Sequence, residues 1–229
     1  LRMTFSKLMT GTLPHHGKYS SRGGKSVERI ILHHWAGKVG GDTRLGKASE
    51  KVSCSYLVYG DGRIVGQVPE EYRPWTSGSS EADSPSITIE TQNSTLGPDW
   101  KVTDEALESI VALITDVARR YKWGRVDSSR LKGHRDFANT NCPGPYLYPR
   151  FGWIIAEVNK RLSGTGSSGI VSKPSGEVKP VLKSVTVVAR EVIAGKWGNG
   201  SDRVNRLKRA GYDASVVQRE VNRLLKVGK

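Results

Sequence analysis

The stretch VERIILHH, residues 27–34, sets three apolar side chains in a row and closes on two histidines. Side chains of a strand alternate between faces, so this run is apolar on both, as expected of a strand covered on both sides. The neighbouring patterns extend that reading. KVSCSYLVYGDGRIVGQV (51–68) reads as a hairpin with Gly60-Asp61-Gly62 at its turn. SITIETQ (86–92) reads as a further strand, with Ile87 and Ile89 on one face and Ser86, Thr88 and Glu90 on the other. TDEALESIVALITDVARRYKWG (103–124) is the clearest helix. Thr103 is its N-cap, Asp104 and Glu105 suit its first turn, and Arg119, Arg120 and Lys122 its last. Leu107, Ile110, Val111, Ile114, Val117, Ala118 and Tyr121 share one face, and Gly124 is placed to close the helix. A second helix around 149–162 buries Phe151, Ile154, Ile155, Val158 and Leu162. Strands alternating with helices predict an α/β domain built in mixed layers.

The flanks differ. Residues 1–25 are basic and rich in Gly, Ser and turn formers, and read as a lead-in arm to a domain spanning 1–162. SGTGSSGIVSKPSGEVKP (163–180) has no periodicity and reads as linker, extending to 182. Over 183–229, VVAREVIAGKW, SDRVNRLKRAG and ASVVQREVNRLL predict a small all-α three-helix bundle. Ser201 and Asp213 fit its N-caps, and Gly195 and Gly211 its C′ positions. A single copy is present, so the unit is not an array.

Hydrophobic residues make up 36% of the 229, as in a globular chain, and no apolar run approaches the roughly 20 residues needed to cross a bilayer. The opening LRMTFSKLMTGTLPHH lacks an apolar core of secretory type, so nothing marks the chain for ordinary export. Two cysteines do not make a disulfide scaffold. A net charge of +14 predicts a polyanionic partner, with nucleic acid, anionic lipid and anionic cell-wall polymer all compatible.

Five histidines occur. His15 and His16 lie in the polar arm and read as solvated. His33 and His34 end a buried strand, where open α/β sheets place their ligands, although a histidine there also serves as a hydrogen-bonded cap. KGHRDFANTNCPG adds His134 and Cys142, which alone would pass for a surface histidine and a buried thiol. Together, two imidazoles and a thiolate suit zinc, and three protein ligands leave a fourth position for water.

IILHHWAG, SITIE and GHRDFANTNCPGPYLYP, in that order, resemble the zinc amidases shared by phage endolysins and peptidoglycan recognition proteins, over roughly residues 18–162. The resemblance implies a central mixed β-sheet flanked by helices, a zinc held by His33, His134 and Cys142, and hydrolysis of the amide between N-acetylmuramic acid and L-alanine. It makes Glu90 the catalytic carboxylate and Thr140 a contact to the oxyanion. Trp75 resembles a groove aromatic, and Thr76 stands where the family often has His. At the position where the family often has Tyr, alignment on the GDG turn puts Cys54, with Tyr56 two residues on and expected on the same face. Tyr56 is carried as a substrate contact, and which of the two assists catalysis stays open.

The bundle resembles the small wall-binding repeats at the C-termini of some phage lysozymes and amidases, which bind muropeptide without choline. With 11 Lys or Arg against 4 Asp or Glu, it carries +7. Trp197, Asp202, Arg203 and Tyr212 are its candidate contacts. A helix-turn-helix binding DNA is the alternative for a basic bundle, but the resemblance leaves no specific nucleic acid expected. The implied protein is a phage-type endolysin, made in the host cytoplasm without a signal peptide and acting on the wall after release. Peptidoglycan is its expected partner, with anionic wall polymers as a further one. Its rivals are a zinc peptidase cutting within the stem peptide and a non-catalytic peptidoglycan receptor. Receptors of that family lack the cysteine ligand, so Cys142 speaks against the second.

Overall fold

Ile30, Ile31 and Leu32 have no exposed surface, so the strand that carries them, β3 (Arg29–His34), is covered on both faces as its sequence requires. The computed structural model describes residues 4–164, 185–209 and 212–227. The chain divides into two compact units, Leu1–Gly169 and Ile170–Lys229. The linker reading over 163–182 falls outside the described residues beyond Gly164, and so does the C′ assignment of Gly211.

In the first unit the strands before and after β3 are β1 (Gly11–Thr12), β2 (Tyr19–Ser21), β4 (Tyr56–Val58), β5 (Ile64–Gly66), β6 (Tyr72–Pro74), β7 (Ser86–Thr91) and β8 (Leu131–Gly133). The central sheet runs β1-β5-β4-β7-β3-β8. β4, β7, β3 and β8 are parallel, β5 pairs antiparallel to β4 across the predicted hairpin, and β1 lies parallel to β5. This is the mixed sheet expected. β2 and β6 form a separate antiparallel pair. Short helices α1 (Gly41–Gly46), α2 (Ser80–Asp83) and α4 (Gly144–Leu147) sit in the connections, and α3 (Asp104–Arg120) and α5 (Phe151–Leu162) are the long ones.

The principal core joins Ile30, Leu32, Tyr56, Val58, Ile87 and Ile89 of the sheet to Ile110, Ile114 and Val117 of α3 and Ile154 and Val158 of α5. Each such side chain stabilises the fold by about 1.5–3 kcal/mol when fully buried. The opposite face carries a smaller cluster of Leu45, Cys54, Leu57 and Val65. Thr103 caps α3, its Oγ1 accepting the N–H of Ala106 at 3.1 Å. Gly124 does not close that helix. The turn is made by Lys122, at φ +56, because the chain must double back to bury Trp123.

The arm is more than a lead-in. β1 extends the central sheet, β2 pairs with β6, and Ser6, Lys18 and Arg22 are buried. Lys18 Nζ donates to the carbonyls of Leu45 (2.5 Å) and Lys47 (2.8 Å). Arg22 donates to those of Glu70 (2.8 Å), Ser84 (2.5 Å) and Ser86 (2.9 Å). Composition reads only as a lead-in arm because it does not reveal which charged side chains will find carbonyls to satisfy them.

The second unit holds α6 (Val185–Ile193), α7 (Gly200–Arg209) and α8 (Ala214–Val227). Its core is Val188, Ala189, Val192, Leu207, Val217 and Val221. Asp213 Oδ1 accepts the N–H groups of Ser215 and Val216 at the start of α8, and Gly195, at φ +76, follows α6. Ser201 is not an N-cap: α7 already begins at Gly200, whose positive φ (+56) lets the turn tighten one residue earlier.

Candidate metal centre

Three parallel strands, β7, β3 and β8, end side by side, and their carboxyl ends deliver the chemistry. Register pairs His33 with Glu90 and Leu32 with Gly133, so His134 emerges next to both. The strand ends and the loop carrying Cys142 converge. One ligand atom from each of His33, His134 and Cys142 lies within 4.8 Å of the other two. Cys142 Sγ is 3.6 Å from His33 Nδ1, and the two imidazole centroids are 4.6 Å apart. Tetrahedral zinc, with bonds of about 2.3 Å to sulfur and 2.0–2.1 Å to nitrogen, separates such a pair by about 3.6 Å. The donor set and its spacing therefore fit zinc.

The loop reaches this position by close packing. A Cβ on Gly133 would stand 2.7 Å from Pro143 Cδ and 2.9 Å from the Tyr148 ring, so only glycine fits under the Cys142–Pro143 segment. Gly144 adopts φ +92 and lies against the ring of His34. That ring meets Trp100 edge-on at 5.6 Å and takes no part in the cluster.

Burial dominates the electrostatics. His33, 2% exposed, has its pKa held well below the ordinary value by desolvation and then by its neighbours His134 and His34. It is a neutral imidazole with a lone pair to offer. The Cys142 thiol is pushed up to about 12 by burial and by the carboxylate of Glu90. Desolvation also lifts Glu90 to about 8, against a weaker opposing pull from Arg44. Glu90 Oε2 is buried with no hydrogen-bond partner, an acceptor left for something the protein does not itself supply. A divalent cation in the cluster reverses these trends, favouring thiolate and carboxylate.

The remaining site residues divide. Thr140 Oγ1 accepts the N–H of Cys142 at 3.2 Å, so it lies in the ligand loop. Trp75 is half-buried and gives its indole N–H to Ser20 of β2 (2.8 Å). Thr76 has turned inward: its hydroxyl donates to the carbonyl of Ser53 and meets that of Thr88, each at 2.7 Å. Tyr56 must be corrected. It is fully buried in the principal core, bonded to Glu70 and to the N–H of Ser6, and cannot contact a substrate. Nor does it share a face with Cys54, which packs with Leu57 in the opposite cluster. The alternation breaks because β4 begins only at Tyr56, leaving Cys54 in irregular chain. Two site residues carried no signal in the sequence, Ser77 and Asp83, both buried against the cluster. A cleft of about 610 Å³, walled by Trp35, Asp42, Tyr59, Arg63 and Gln92, opens beyond the ends of β3, β4 and β7.

In the second unit Trp197 packs edge-on to Tyr212 at 5.7 Å, Asp202 pairs with Arg206 at 2.8 Å, and Arg203 donates to Gln218.

The family described as N-acetylmuramoyl-L-alanine amidase matches residues 23–145, and the CW_7 repeat matches residues 187–225. A lysozyme of Streptococcus phage Cp-7 is 57% identical over 43 residues, which are 19% of this chain. The match spans 13% of that lysozyme's length. Solved structures of similar fold include PlyL (TM-score 0.52, 17% identity, 66% of this chain and 94% of that one). AmpD is similar at TM-score 0.51 and 19% identity, over 68% of this chain and 98% of that one. The catalytic domain of PlyG gives 0.52 and 17%, over 69% and 98%. With more than half of its length matched, carrying β3, β7 and the two histidines and cysteine of the cluster, the chain belongs to the N-acetylmuramoyl-L-alanine amidase family.

Proposed function

We propose that this chain is a zinc-dependent, endolysin-type enzyme. It hydrolyses the amide between the lactyl group of N-acetylmuramic acid and L-alanine, and its second unit holds it to the wall. The observation that carries the proposal is the convergence of His33, His134 and Cys142 beside Glu90 at the ends of adjacent parallel strands.

His33, His134 and Cys142 would hold the metal, leaving a fourth position open. The chemistry a zinc held there would supply is polarisation of the scissile carbonyl and a lowering of the pKa of water from 15.7 to about 7. Glu90 takes a proton from the attacking water and returns it to the leaving amine. Burial raises its carboxyl above the ordinary value, and a cation in the cluster would draw it back toward the carboxylate that accepts the proton. Thr140 spends an oxygen lone pair on Cys142 N–H, which leaves its hydroxyl hydrogen to donate to the developing oxyanion. In the second unit, Trp197, Asp202, Arg203 and Tyr212 are assigned to muropeptide contact, and its charge of +7 to attraction by anionic wall polymers. Residues 1–162 are assigned to catalysis and 183–229 to wall binding.

Mass spectrometry of digested walls, with and without chelator, tests the reaction. The expected product carries a new amino group on L-alanine and disappears on chelation. Fragments cut inside the stem peptide would favour the peptidase instead.

A further inference from the structure

Both ligand histidines turn their second ring nitrogen toward one residue. Ser77 O lies 3.2 Å from His134 Nε2, and Ser77 Oγ lies 3.4 Å from His33 Nε2. A carbonyl only accepts, so His134 must carry its proton on Nε2, which leaves the lone pair on Nδ1. On His33 the nitrogen remaining is also Nδ1, the atom 3.6 Å from Cys142 Sγ. One residue thus sets the tautomer of His134 and holds the swing of both rings.

Ser77 is itself fixed. Its N–H donates to both carboxylate oxygens of Asp83, at 3.2 and 3.0 Å, and the N–H of Thr76 donates to Asp83 Oδ2 at 3.0 Å. Asp83 is 2% exposed and Ser77 6%. The α2 turn that carries Asp83 is held in turn by Arg22, through the carbonyls of Ser84 and Ser86.

We propose that Ser77, clamped by Asp83, is the positioning residue of the metal centre, orienting His33 and His134 together so that both offer Nδ1. The assignment rests on the metal reading above but concerns affinity rather than turnover. Outer partners of ligand histidines are worth about 10–100-fold in metal affinity.

The test uses the full chain, with zinc affinity measured by competition against a chelating dye and ligand geometry read from the visible spectrum of the cobalt(II) form. Ser77→Ala removes the hydroxyl and spares the carbonyl. It should weaken zinc about 10-fold and shift the cobalt bands, with the melting temperature of the metal-free protein unchanged. Ser77→Thr keeps the hydroxyl and should restore both. Asp83→Asn keeps one accepting oxygen but turns an amide N–H toward the N–H of Ser77, and should weaken zinc by about 10–100-fold. Should that variant fail to fold, the Ala/Thr pair decides. Wild-type affinity and spectrum in Ser77→Ala would overturn the assignment. Wild-type protein that takes up no zinc overturns the metal reading itself, a separate result.

Discussion

A thiol held at about 12 by burial, as at Cys142, ionises only when a cation stands beside it. Cys142→Ser should therefore lose zinc and activity together, since a hydroxyl in the same enclosure is a far weaker ligand. Metal analysis of the purified variant checks this, and retained stoichiometric zinc would remove Cys142 from the ligand set. Glu90 makes the opposite demand. It lies in register with His33 yet outside the three-ligand cluster. Glu90→Ala should keep its zinc and its fold while turnover falls by about 10²–10⁴, as for a lost general base. Near-normal turnover on soluble muropeptide would reduce Glu90 to an enclosed strand-end carboxyl.

Between elements, the tightest polar joint is Glu70. Its side chain is fully buried and accepts a bidentate pair from Arg120 of α3, at 2.6 and 2.7 Å, with the hydroxyls of Tyr121 and Tyr56 alongside. Cutting the carboxylate leaves the Arg120 guanidinium with Asp116 alone (2.8 Å) and the buried Tyr56 hydroxyl without its acceptor, so Glu70→Ala should cost about 1–3 kcal/mol in denaturant unfolding. A loss below 1 kcal/mol would mean that water replaces the carboxylate freely. In the second unit Glu220 ties α8 to α6, accepting from Arg223 (2.7 Å) and Thr186 (2.8 Å). Those bonds hold its pKa near 2, below the ordinary 4.5. A folded value below the unfolded one gives stability that is complete above pH 4.5 and lost as pH falls toward 2. Glu220→Gln should therefore flatten the acid side of the melting-temperature profile of residues 183–229 between those limits. Profiles that superimpose would show the pair to be screened out. Arg223 is exposed and Glu220 only partly enclosed, so solvent screening keeps the effect small.

For the whole molecule, each unit owns a complete apolar core, one beneath the mixed sheet and one among α6, α7 and α8. A fragment ending near Ser163 should fold, hold zinc and cleave soluble muropeptide at close to the full rate. On intact walls it should fall behind, because the second unit no longer supplies effective concentration. The electrostatic share of that loss, from the +7 charge, should shrink as salt rises and the Debye length contracts to about 8 Å near 0.15 M. Turbidity clearing of walls by fragment and full chain across a salt series checks both parts. Equal clearing at every salt concentration would deny the second unit a targeting role.

The sequence by itself determined what depends on near neighbours. The buried strand at 29–34, the apolar face of α3, the Thr103 and Asp213 caps and the GDG turn all follow from periodicity or from one side chain meeting the next few backbone groups. The His33–His34 pair, His134 and Cys142 were legible as zinc-type donors, and the resemblance chose His33 from the pair. Tertiary structure decided the rest. Tyr56 became a core residue because β4 turns it toward α3, Thr76 spent its hydroxyl inside the sheet, and a polar arm supplied two strands. Ser77 carries no pattern of its own, and it matters because folding sets it beside histidines 44 and 57 residues away. The physical reason is that propensity and periodicity act within a turn or a strand. The meeting of Cys142 with His33 across 109 residues depends instead on the order and register of whole strands, which no local signal encodes.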